Sequence, residues 1–82
     1  MTRHKEDPVE MQEKRFGYFP HAFMWRGKCY RVSKVEKSWT ICKRERKMRM
    51  ERRCFRVRCE EGTFELNHDL IVNTWHLTRA QI

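Results

Sequence analysis

From residue 19 to the end of the chain, apolar and polar side chains alternate with a period of two, and no other feature constrains the fold as strongly. Half-buried β-strands have this period, because successive side chains of a strand point to opposite faces of the sheet. With 82 residues, 39% of them hydrophobic and 37% charged, the chain can fill one small core built largely from its aromatic residues. The sequence therefore predicts one small domain of mainly β structure.

The first two predicted strands share a consistent pairing. A two-residue turn at Gly27-Lys28 places Trp25 opposite Tyr30 and Phe23 opposite Val32. All four side chains then lie on one face, so these strands form a predicted β-hairpin.

After Val32 the apolar side chains change parity and continue at Val35, Trp39 and Ile41. One extra residue in the strand produces such a change. We therefore predict a β-bulge near Ser33-Lys34, of the kind that bends small sheets.

A second hairpin is predicted from residues 54–59 and 63–67, with its turn at Glu61-Gly62. In this register Arg58 lies opposite Glu65 on the outer face, where an opposite-charge pair contributes about 0.2–1 kcal/mol. The pairs on the inner face are Cys59 with Phe64 and Val57 with Leu66.

Five antiparallel strands account for the alternating segments, and the last of them has Trp75 and Leu77 on its inner face. A meander of this kind protects its edges by curling, so we predict a small SH3-like or open barrel. Residues 1–18 are predicted to form a flexible, disordered N-terminal arm, because the segment is polar and has few apolar side chains. Residues 19–82 form the predicted β domain, with a basic loop at 42–53.

Positive charge is concentrated in residues 43–58. The formal net charge of the chain is +8, and this segment holds nine basic and two acidic side chains. Lys and Arg neutralise phosphates and release counterions, largely without regard to base sequence. We therefore predict a binding module that contacts the phosphate backbone of DNA or RNA. The predicted binding residues are Lys43, Arg44, Arg46, Lys47, Arg49, Arg52, Arg53, Arg56 and Trp39, the last as a platform for base stacking.

Each part of this prediction has an alternative. Trp39 shares the parity of its apolar neighbours, which favours a place in the core over a platform. Phe16, Tyr18 and Phe19 are the other candidate platforms. The basic loop could instead dock an acidic protein, so the alternative function is a protein–protein interaction adaptor.

The cysteines do not predict a metal site. Structural zinc sites usually carry two close cysteine pairs that aim at one centre. Here Cys54 and Cys59 lie in one predicted strand, and their odd separation sends the side chains to opposite faces. We expect free thiols, no metal and no cofactor.

No catalytic site is predicted either. His68-Asp69 falls in a predicted turn, where Asp side chains commonly bond to nearby backbone, and His76 is outward on its strand. No segment approaches the roughly 20 apolar residues of a membrane span, and no hydrophobic signal region is visible. We expect a cytoplasmic protein without enzymatic activity, small-molecule substrate or membrane partner.

Three short segments resemble the motifs of a family of small bacterial domains of unknown function. They are W-R-G-K-C-Y-R-V at 25–32, R-V-R-C-E-E-G-T-F-E-L at 56–66 and W-H-L-T-R at 75–79. Similar domains occur at the C-terminus of catalytically inactive relatives of error-prone DNA polymerases, so the resemblance implies work beside DNA repair. It implies no catalytic residue. The chain departs from the family pattern at 43–53, where relatives more often have tryptophans.

Overall fold

The computed structural model describes residues 6–45 and 48–82, whose strands form a closed antiparallel barrel in chain order. The strands are β1 (Asp7–Arg15), β2 (Phe19–Trp25), β3 (Lys28–Glu45), β4 (Met48–Cys59), β5 (Gly62–Asp69) and β6 (Thr74–Gln81). The predicted mainly β, antiparallel barrel class is confirmed, with six strands where the sequence predicted five. The described residues contain no helix long and apolar enough to cross a membrane.

The additional strand is β1, which lies in the segment predicted to be a disordered arm. It pairs with β2 on one side and with β6 on the other, and so closes the barrel. Val9 and Met11 are half-buried and pack against the core, while the residues between and around them are exposed. Residues 7–15 are therefore a strand because two apolar side chains at period two are enough to fix their inner face. The rest of the predicted arm includes residues 1–5, which lie outside the described residues.

The core consists of apolar side chains from β2 to β6 with aromatic rings at its centre. Its members are Phe23, Trp25, Tyr30, Val32, Phe55, Val57, Cys59, Phe64, Leu66, Trp75 and Leu77. Trp25 and Trp75 are 8% and 7% exposed, which confirms their predicted place in the core. Phe23, Tyr30 and Phe64 contact one another with ring centroids 5.0–5.8 Å apart.

Both predicted hairpins exist, but the predicted pairing is wrong by two residues. Trp25 pairs with Lys28, and Val57 pairs with Phe64. The turns lie at Arg26-Gly27 and at residues 60–61, one residue before the predicted positions. A slip of two residues keeps every side chain on its predicted face, which is why the core was predicted correctly with the wrong partners.

Gly62 begins β5 where the backbone of β6 comes very close. A Cβ built on this glycine would lie 2.2 Å from the carbonyl oxygen of Gln81. Its φ of 153° is also one that side chains rarely adopt. Glycine is therefore required at the start of β5, so that the β5–β6 ladder can extend to Thr63 and Gln81.

The predicted bulge at Ser33 is confirmed, and the structure has a second irregularity at Glu36. The second one restores the original parity. Ser38 therefore lies opposite the core residue Phe55, and Trp39 lies on the other face, opposite Cys54. The inward position predicted for Trp39 and Ile41 is wrong for this reason, and both side chains are half-buried on the outer face.

The predicted loop at 42–53 is instead a continuation of β3 and β4. The two strands pair without interruption from Ser38 and Phe55 to Glu45 and Met48. We call residues 40–45 and 48–51 the ribbon, because in the described structure they form a strand ladder only with each other. At the base of the ribbon, the N–H of Leu70 donates to the carbonyl of Glu51 at 2.9 Å. Charged side chains do not prevent a two-stranded ribbon, since both of its faces are open to water.

Candidate nucleic-acid interface

The ribbon presents cations on both of its faces. Lys43 and Arg44 are neighbours on β3, so their side chains point to opposite faces, and both are exposed. Neither makes an ion pair with any acidic side chain that the structure describes. These two side chains are available to an anionic partner without first breaking such a contact.

Four arginines of the basic segment are held by carboxylates. The pairs are Arg49 with Glu51 at 2.5 Å, Arg52 with Glu6 at 2.6 Å, Arg56 with Glu65 at 3.0 Å and Arg58 with Glu36 at 3.0 Å. The outer-face partner of Glu65 is therefore Arg56, and the predicted Arg58–Glu65 pair is wrong because of the two-residue register difference. The free positive charge of the segment is smaller than its composition indicates.

Arg52 belongs to a network inside the fold. Its side chain is 20% exposed, its Nη1 donates to Glu6, and its Nε lies 3.9 Å from Asp69 Oδ2. Asp69 Oδ1 in turn accepts hydrogen bonds from the backbone N–H groups of Ile71 and Val72. Arg52 thus links the residue before β1 to the turn between β5 and β6.

Arg53 lies at the base of the ribbon on an aromatic cluster. Its guanidinium carbon is 4.3 Å from the centroid of the Tyr18 ring, a cation–π geometry. Tyr18 meets Phe19 and Phe55 edge to face, with centroids 4.6 and 5.6 Å apart. Two of the candidate platforms are therefore packed together beside a cation, and both are half-buried.

Trp39 lies on the opposite face from this cluster. The ammonium of Lys37 is 5.4 Å from its ring centroid, and the ring is half-buried. The structure therefore does not bring Trp39 together with Arg53 and Tyr18. Of the remaining predicted residues, Arg46 and Lys47 lie outside the described residues.

A groove between β2 and β3 was not predicted. The two strands pair only where Ala22–Trp25 meets Lys28–Arg31, and beyond this they separate around a space of about 420 Å³. The residues that line it come from both strands and from the β1–β2 turn. They include Arg15, Phe16, Phe19, Lys34, Val35 and Lys37. The groove runs along the part of β3 that holds both bulges, and only the bulge at Ser33 left a signal in the sequence.

The four cysteines do not form one site. Cys29 and Cys42 are exposed, whereas Cys54 and Cys59 are buried. Burial raises the pKa of Cys54 and raises the pKa of Cys59 to about 11. Within the described ranges, no three His, Cys, Asp or Glu side chains come together as metal ligands.

The histidines that the sequence singled out make local contacts. The His68 ring stacks on Trp75 with centroids 4.1 Å apart, and its Nε2 lies 2.8 Å from Asn73 Oδ1. His76 Nε2 lies 2.9 Å from Thr74 Oγ1. Cys54 is separated from His76 by the width of β5, and its raised pKa keeps the thiol protonated at neutral pH.

Comparison with known proteins yields a family match. A family described as "Domain of unknown function (DUF6504)" matches residues 1–81. No curated protein and no solved structure matches the chain. The family model covers nearly the whole sequence, including β1, so the chain belongs to this DUF6504 family.

Proposed function

We propose that this chain is a nucleic-acid-binding module whose ribbon contacts the phosphate backbone. The observation that carries the proposal is the exposure of Lys43 and Arg44 on a two-stranded ribbon that projects beyond the barrel ladder. Cations held there by paired backbone reach a phosphate chain without rearrangement of the fold. Counterion release from the nucleic acid then supplies the binding free energy.

The neighbouring side chains support the same reading. Arg49 pairs with Arg44 across the ribbon, and Arg53 continues the same face toward the barrel. The hydrogen bond that Arg49 donates to the Glu51 carboxylate raises the pKa of Arg49, which remains a cation throughout the physiological range. The carboxylate of Glu51 partly cancels the positive charge of Arg49 on this face of the ribbon. Arg44 is therefore the described cation of this face that attracts a phosphate most strongly.

The resemblance to domains attached to inactive relatives of error-prone DNA polymerases agrees with this proposal. A module in that position works next to DNA. Binding to the phosphate backbone does not depend on base sequence, which suits a module whose attached protein moves along the DNA. The proposal includes no catalytic step and no cofactor.

The test is a fluorescence-anisotropy titration of labelled 20-nucleotide oligothymidine and of a duplex of the same length at several salt concentrations. The variant Lys43→Gln/Arg44→Gln removes the two exposed ribbon cations that make no ion pair with a described acidic side chain and keeps Arg49, which is paired with Glu51. We expect weaker binding and a slope of log K against log salt that is shallower by about 1.4, from about 0.7 per lost phosphate contact on single strands.

The matched control is Lys28→Gln/Arg31→Gln, which removes two exposed cations at the other end of β3. This variant should keep the wild-type slope. An unchanged slope in the ribbon variant, or the same change of slope in both variants, would show that the ribbon cations do not make specific phosphate contacts.

A further inference from the structure

Phe16 is the most exposed of the large hydrophobic side chains in the described chain, with 89% of its surface accessible. It lies in the turn between β1 and β2, where the N–H of Tyr18 donates to the carbonyl of Arg15 at 3.0 Å. Phe16 and Gly17 have φ angles of 57° and 64°, as in a type I′ turn. Asn is preferred at the first of these positions, so a phenylalanine there is unfavourable for the turn itself. Residues held in such conformations cluster at ligand-binding sites.

Phe16 stands at the entrance of the groove between β2 and β3. The apolar part of the groove is formed by Phe19 and Val35, and its rim carries the exposed cations Arg15 and Lys34. Lys37 also lines the groove, but its ammonium lies over the Trp39 ring on the other face of β3. The one carboxylate of β3 in this lining, that of Glu36, is paired with Arg58 at 3.0 Å. An apolar floor with a cationic rim fits a ligand that has flat apolar faces joined by anionic groups.

The groove is continuous with the ribbon. Ser38 lines the groove, and Thr40 and Arg44 follow it on the same face of β3, because the ladder has no irregularity after Ser38. At about 3.3 Å per residue, the distance from Ser38 to Arg44 is about 20 Å. Arg53, stacked on Tyr18, lies beside Thr40 in this path.

We propose that the groove binds the bases of single-stranded nucleic acid, with Phe16 as the stacking platform and Arg15 and Lys34 on the phosphates. The inference rests on the proposed function and adds the class of nucleic acid. A duplex does not offer the face of a base to Phe16, because its bases are stacked and paired within the helix. Single strands offer these faces, and stacking on aromatic side chains is their usual mode of recognition.

The decisive variant is Phe16→Asn, which removes the ring and places a preferred residue in the turn. We expect its thermal midpoint to equal or exceed that of the wild type. Affinity for the oligothymidine should fall by about 5-fold to 150-fold, the change that corresponds to about 1–3 kcal/mol per stacked base. Phe16→Tyr keeps a ring and should restore most of the affinity. Val72→Asn removes another exposed apolar side chain, on the β5–β6 turn, and should leave binding unchanged.

The failure of this inference differs from the failure of the proposed function. If Phe16→Asn binds single strands as tightly as the wild type, or if duplex binds as well as single strand, the groove does not take bases, although the ribbon still contacts phosphates. If a glutamate-rich peptide binds in a way that depends on Phe16 and the oligothymidine does not, the groove is a protein site and the inference is wrong. If neither nucleic acid binds at low salt, both proposals fail.

Discussion

At the scale of single residues, the two buried thiols show how burial shapes the chemistry of this chain. Cys59 is 4% exposed and belongs to the core, whereas Cys54 is buried on the opposite face of β4. Both have raised pKa values, with desolvation as the leading cause. Their thiols are therefore protonated packing groups at neutral pH rather than nucleophiles.

This gives a prediction for the pH dependence of stability. The pKa of Cys59 is about 11 in the folded state and 9.0 when unperturbed, so the folded state favours the neutral thiol. The stabilising contribution of this buried thiol to the free energy of unfolding is complete below pH 9. As the pH rises from about 9 to about 11, this contribution falls by about 1.4 kcal/mol per pH unit. Urea unfolding across this range measures the effect. The variant Cys59→Val should have a flatter profile, whereas Cys42→Val, at an exposed thiol, should follow the wild type. A wild-type profile as flat as that of Cys59→Val would contradict the assignment.

The core residue Trp25 also holds β1 in place through a hydrogen bond. Its Nε1–H donates to Asp7 Oδ2 at 3.2 Å, and Arg26 Nη2 donates to the same oxygen at 3.0 Å. One carboxylate of β1 therefore receives two donors from the end of β2 and the turn that follows it. This contact could not be predicted from the sequence, because it depends on β1 being a strand.

At the scale of elements, β1 offers the clearest test of the fold. Val9 pairs with Trp75 and packs against the core, so a carboxylate there would be placed against apolar side chains. We expect Val9→Asp to lower the free energy of unfolding by about 2–3 kcal/mol. The control Gln12→Asp adds the same charge at an exposed position of β1 and should change stability little. Equal stability of the two variants would mean that residues 7–15 do not close the barrel.

The strands of the core were predictable, and the elements rich in charge were not. Period two is readable where large apolar side chains alternate, as in β2, β4, β5 and β6. In β1 the signal was two apolar side chains among charged ones, and in the ribbon it was masked by lysines and arginines. The second irregularity of β3, at Glu36, left no mark in the sequence, so the parity of Trp39 was assigned to the wrong face.

The candidate site was predictable in its charge and not in its shape. Composition identified the basic segment, but it could not show that Arg49, Arg52, Arg56 and Arg58 have carboxylate partners. Apart from Arg49 with Glu51, which are two residues apart on β4, these pairs join residues that are distant in sequence or depend on register. The groove arises where β3 leaves β2, a property of the closed barrel that no local pattern encodes.

At the scale of the whole molecule, charge is distributed unevenly along the chain. Residues 43–58 hold nine basic and two acidic side chains, and residues 59–82 hold one basic and four acidic ones. The acidic side chains Glu60 and Glu61 lie in the turn that ends β4, at the end away from the ribbon, and Glu61 is paired with Lys28 at 3.4 Å. The concentration of cations in residues 43–58 attracts a polyanion to this part of the molecule.

The measurement that tests the central claim most directly is the salt dependence of wild-type binding to oligothymidine between about 50 and 200 mM salt. Four phosphate contacts, two from the ribbon and two from the rim of the groove, predict a slope of log K against log salt of about −3. A slope near zero, or no binding at about 50 mM salt, would contradict the account of this chain as a module that binds the nucleic-acid backbone.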